Sequence, residues 1–93
     1  MKYLVITTRT PNFQSEVIEH HYNFLDQLRL KNQLEIAGPF TDKSGGAYVI
    51  TAKNLEEALE IAYQDPVHTT KSSTIKVHEW TAKQYQIPSV KIL

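Results

Sequence analysis

The chain has 93 residues, ten basic and ten acidic side chains that cancel, and no cysteine. That length predicts one domain with a modest core, and the missing thiols exclude disulfides, cysteine catalysis and cysteine-ligated zinc. Charge neutrality removes the electrostatic case for nucleic acid or an anionic membrane as partner, and no apolar run approaches the roughly 20 residues that span a bilayer.

Lys2 to Thr8 is β-branched and apolar on both faces, as in a strand covered on both sides. It is too short for a signal segment and runs directly into Arg9 and Pro11, so a soluble, cytoplasmic protein is expected. Thr10-Pro11-Asn12 reads as a turn. A helix should begin near Gln14 or Ser15, with Asn12 and Ser15 competing as N-caps, and run to about Leu30 or Lys31. Asn32 tolerates the left-handed conformation that would stop it. At 3.6 residues per turn, Val17, Ile18, Phe24, Leu25 and Leu28 share one face, and His21 lies near its middle. A histidine placed there must be hydrogen-bonded, solvated in a cleft, or put to use.

Leu34 to Ala37 is a short second strand ended by Gly38-Pro39, and Thr41 to Gly46 is a polar connection. Ala47 to Ala52 is the third strand, and the pair reads as a hairpin. Asn54 should cap a second helix, with Glu57 three residues on as in a capping box. Its buried face is predicted from Leu55, Ala58, Leu59 and Ala62, and Pro66 ends it near Gln64. Residues 67–72 leave room for one helical turn before a fourth strand, Ser73 to Trp80. In that strand Ile75 and Val77 point one way, and Lys76, His78 and Trp80 the other.

The order β-α-β-β-α-β is the ferredoxin-like, α+β plan: a four-stranded antiparallel sheet with two helices on one face. Residues 1–82 should form this domain. Either Tyr3 and Val5 or Leu4 and Ile6 must point to the face without helices. The expectation is therefore a homodimer with sheets packed face to face, a dimeric α/β barrel. The tail, residues 83–93, carries Tyr85, Ile87, Pro88, Val90, Ile92 and Leu93 and should pack on the partner. Trp80 and Tyr85 read as interface anchors rather than a base-stacking platform.

The helix bearing His21, then Leu34-x-x-Ala37-Gly38-Pro39, a Gly45 hairpin, Leu55-Glu56-Glu57-Ala58 and Asp65-Pro66 occur in an order and spacing that resembles the YciI-like proteins, from Tyr3 to about Trp80. The resemblance implies the dimeric α/β-barrel fold and a cleft built on a histidine and an aspartate, here His21 and Asp65. The sequence departs from the family pattern at Ile18, where relatives often carry arginine, at Val67, and at Asn32-Gln33. The lost arginine weakens any reading that needs a cation for an anionic substrate.

With antiparallel helices, Asp65 falls on the side where the first helix begins, and His21 sits about 9 Å along that helix at 1.5 Å per residue. A carboxylate holding the Nδ1 proton would fix the tautomer and leave Nε2 as a base. The expected function is therefore a small cofactor-independent enzyme, a lyase or isomerase, moving protons on a small organic molecule. Asp42 and Ser44 are candidates to line the same cleft and bind ligand. Adjoining His20 and His21 diverge by about 100° and make a poor metal pair, and His68 and His78 lack a carboxylate motif, so no metal is expected. The alternatives are a non-catalytic ligand-binding or accessory dimeric module and, more distantly, a cofactorless monooxygenase.

Overall fold

A computed structural model describes residues 1–86. The elements are β1 (Lys2–Arg9), α1 (Val17–Leu30), β2 (Leu34–Pro39), β3 (Gly45–Thr51), α2 (Leu55–Ala62), α3 (Pro66–Thr69) and β4 (Ser73–Glu79). The strands form one antiparallel sheet in the order β2-β3-β1-β4. This is the ferredoxin-like arrangement, with α3 as a short addition. No helix is long and apolar enough to cross a membrane among the described residues.

Alternation along β1 sorts the two sheet faces. Tyr3 and Val5 are fully buried with Leu25, Leu28, Tyr48, Ile50, Ala58 and Ala62 in the core between sheet and helices. Leu4 and Ile6 therefore take the opposite face, paired with Val49 and Ala47 on β3. Ile36, on edge strand β2, lies beside Val49. Ala58 and Ala62 are both wholly buried, so α2 sits close over the sheet. A larger side chain at either position would cost about 1–3 kcal/mol through overpacking.

Several local expectations shift. α1 starts at Val17, not near Gln14, and neither Asn12 nor Ser15 caps it. Instead the Val17 and Ile18 amides donate to the Gln14 and Ser15 carbonyls at 3.1 Å, so one tight turn leads into the helix. Asn32 does adopt the left-handed conformation, with φ 58°. β2 continues through Gly38 and Pro39, and β3 begins at Gly45, because the glycines let three strands approach closely. A Cβ on Gly45 would lie 1.9 Å from the Thr7 carbonyl oxygen, and one on Gly46 would lie 2.7 Å from that of Gly38. Asn54 caps α2, its side chain accepting from the Glu57 amide at 2.8 Å. The buried face of α2 centres on Ala58 and Ala62, with Ile61 packed beside them, and Leu55 is half exposed. In the tail, Tyr85 is exposed and residues 87–93 lie outside the described residues.

Candidate active site

The single helical turn of α3 exists because Asp65-Pro66 starts it. Proline at the first position has no amide to satisfy, and the Asp65 side chain accepts the Val67 amide at 3.0 Å. The same turn packs against α1. His21 stands one turn into α1, on the face turned towards the sheet. The two side chains meet, with His21 Nδ1 2.8 Å from Asp65 Oδ1.

Asp65 is completely buried. Its Oδ1 accepts from Val67 and His21, and its Oδ2 accepts the Tyr48 hydroxyl at 3.0 Å. A carboxylate with three donors pointed at it is the acceptor in every bond, so Nδ1 of His21 carries the proton. Nε2 is then the nitrogen with a free lone pair, and it has no hydrogen-bond partner among the described residues. Burial, the neighbouring Asp65 charge and the bond to Asp65 push the Tyr48 phenol far above its ordinary range. Tyr48 therefore remains a neutral donor at any working pH.

His21 retains 19% of its side-chain exposure and lines a cavity of about 90 Å³ at the start of α1. Ile18, Tyr22 and Leu25 of α1 form one wall, and Gly45, Gly46 and Tyr48 of β3 form another. Arg9 and Thr7 of β1, Phe13 and Ser73 close it. A base facing a small, mostly apolar hollow can remove and return a proton where water competes poorly.

Asp42 and Ser44 do not line this cavity. They sit exposed in the β2–β3 turn, where the Ser44 amide donates to Asp42 Oδ1 at 2.9 Å. Hydrogen bonds from the Ser44 hydroxyl and amide hold the Asp42 carboxyl below its usual value. Both are used up in ordinary turn chemistry. Tyr48, by contrast, is part of the His21–Asp65 arrangement and was not among the expected site residues. Its signal was faint: a tyrosine in a buried strand needs a partner for its hydroxyl. Arg9 was also missed, and it places a cation in a cavity where Ile18 had suggested none.

Residues 1–81 match the YCII-related domain. The chain belongs to that family. It is 46% identical over 82 residues to the uncharacterized protein YjpA of Bacillus subtilis (strain 168), covering 88% of this chain and 96% of that protein. Among solved structures, this YCII-related domain resembles 5-chloro-2-hydroxyhydroquinone dehydrochlorinase (TftG) from Burkholderia phenoliruptrix AC1100, in complex with 2,5-dihydroxybenzoquinone. The TM-score is 0.73 at 19% identity, over 89% of this chain and 96% of that one. Muconolactone isomerase gives a TM-score of 0.71 at 14% identity, over 96% and 97% of the two chains. At such identities the likeness is one of fold.

Proposed function

We propose that this YCII-related domain is a cofactor-independent enzyme that moves a proton on a small organic molecule, in a lyase or isomerase step. His21 is the base and acid, and Asp65 is the positioning residue that holds its tautomer. One observation carries this: a wholly buried carboxylate grips Nδ1 at 2.8 Å, and the same histidine lines a cavity of about 90 Å³. Supporting it, two proteins of the same fold are named as a dehydrochlorinase and an isomerase.

In the proposed step, Nε2 takes a proton from a carbon beside a carbonyl. The C–H bond breaks, its electron pair enters the carbonyl as an enolate, and imidazolium forms. The imidazolium returns that proton to a different carbon in an isomerisation. In an elimination the enolate pair instead forms a carbon–carbon double bond, the leaving group departs with its own bonding pair, and the imidazolium releases its proton to that group or to water. Asp65 stabilises the transient imidazolium, and Tyr48 and Val67 keep the carboxylate from turning away.

The active unit would be a homodimer closed over the face that carries Leu4, Ile6, Val49 and Ile36. Ile36 is 65% exposed and Trp80 46% exposed, and a partner's sheet would cover both. Sedimentation should give twice the protomer mass. An Ile6→Lys variant should run as a monomer, and a wild-type monomer would remove the dimer.

The catalytic test is deuterium exchange. Small carbon acids, including 2-oxo acids, unsaturated lactones and hydroxyquinols, are incubated with the protein in D₂O and followed by NMR. Wild type should catalyse exchange or conversion of at least one class. His21→Ala should stay folded and lose 10²-fold or more, the usual worth of a general base. An equally active His21→Ala protein would overturn the assignment.

A further inference from the structure

Beyond proton transfer, the cavity has a charged corner that the His21–Asp65 pair does not use. Arg9 is the last residue of β1 and continues the row of Tyr3, Val5 and Thr7, so it emerges on the helix side of the sheet. Its guanidinium lies 4.0 Å over the Phe13 ring, which fixes its plane and leaves its edge N–H groups free. The ion pairs among the described residues engage Lys2, His21, Arg29 and Lys53, and Arg9 is in none of them. A partly buried cation without a counter-ion is an unfinished arrangement.

Ser73 completes the corner. It is the register partner of Arg9 across the β1–β4 pairing and is only 4% exposed. Among the described residues its hydroxyl has no hydrogen-bond partner, yet no fully buried side-chain oxygen goes without one. Ser73 lines the cavity together with Arg9. No aspartate or glutamate lines the cavity, and Asp65 beneath it directs both oxygens at its three donors.

We propose that Arg9 and Ser73, side by side at the ends of β1 and β4, bind the carboxylate of the substrate whose proton His21 moves. The site then takes small organic acids as their anions, in preference to neutral compounds of the same shape. A guanidinium presents two parallel N–H groups to a carboxylate, and the serine hydroxyl supplies a third donor. The proposal rests on the acid–base reading for its chemistry. The anion site itself requires only binding.

Two matched pairs of probes test it on the full chain: propionate against propionamide, and benzoate against benzamide, titrated by amide chemical-shift NMR. Each carboxylate should bind at least tenfold tighter than its amide, shift the Gly46 and Tyr22 resonances, and weaken as sodium chloride rises. Arg9→Gln should abolish that preference while the rest of the spectrum stays folded. Arg9→Lys should keep part of it, and Ser73→Ala should cost three- to tenfold. His21→Ala should bind the carboxylates within a fewfold of wild type. Carboxylates that bind no better than amides, or a preference that survives Arg9→Gln, would overturn the anion site. Loss of preference in Arg9→Gln with no proton exchange on any substrate would instead keep the anion site and remove the acid–base role.

Discussion

Replacing Asp65 by alanine strips an acceptor from three donors at once, and the cost can be worked from their surroundings. Val67 and Tyr48 are 5% and 2% exposed, so their donors find no water. His21 is exposed enough to do so. Two buried orphan donors at about 2 kcal/mol each give a loss of about 4 kcal/mol. Asp65→Asn behaves differently. Its amide oxygen can take the place of Oδ1 for His21 and Val67, and Tyr48 can turn to accept from the amide nitrogen. That variant should lose about 1–2 kcal/mol, the charge assistance alone. With a urea dependence of about 2 kcal/mol per molar, the alanine midpoint should fall by about 2 M and the asparagine midpoint by less than about 1 M. Nitrogen-15 NMR should show a single Nδ1–H tautomer for His21 in wild type and a mixture in Asp65→Ala. An alanine variant that loses under about 1 kcal/mol, or an asparagine variant that loses as much as alanine, would refute the hydrogen-bond account.

Tyr48→Phe should cost about 2 kcal/mol in urea unfolding, since it leaves Oδ2 without its donor, and should not change the His21 tautomer. Gly45→Ala should lose about 3 kcal/mol or more, because φ is +154° and the new Cβ would meet the Thr7 backbone. Gly38→Ala should stay within about 0.5 kcal/mol by the same measurement, as its Cβ would meet nothing within 4 Å. Asp42 has a lowered folded-state pKa, so its stabilising effect is present above the unfolded carboxylate value and disappears as pH falls through the folded one. Urea midpoints of wild type and Asp42→Ala should therefore differ at pH 7 and converge towards pH 2.

The sheet, its helices and their order were readable because apolar spacing and turn residues report local conformation. His21 and Asp65 could be singled out as candidates for a related reason, but their contact could not be read. A histidine on an apolar helix stripe and an aspartate before proline are each local signals, and the antiparallel packing of two helices brings them together. Tyr48, Arg9 and Ser73 were not readable, because their roles depend on register. Nothing in the sequence says that residue 73 faces residue 9, or that a phenol on β3 reaches beneath α1. Asp42 and Ser44 misled for the opposite reason: turn formers and ligand binders share the same side chains. The N-terminus of α1 misled similarly, since Gln14 and Ser15 supply carbonyls to the helix rather than Asn12 or Ser15 supplying a cap.

A single oxygen, Oδ1 of Asp65, both launches α3 and aims the imidazole. Architecture and reactivity are thus soldered at one point, and substitutions that loosen residues 65–67 should blunt the site and weaken the protein together. Anyone redirecting this scaffold to a new compound would do better to vary Ile18 and Tyr22, which line the hollow without bonding to Asp65, and to leave that junction alone.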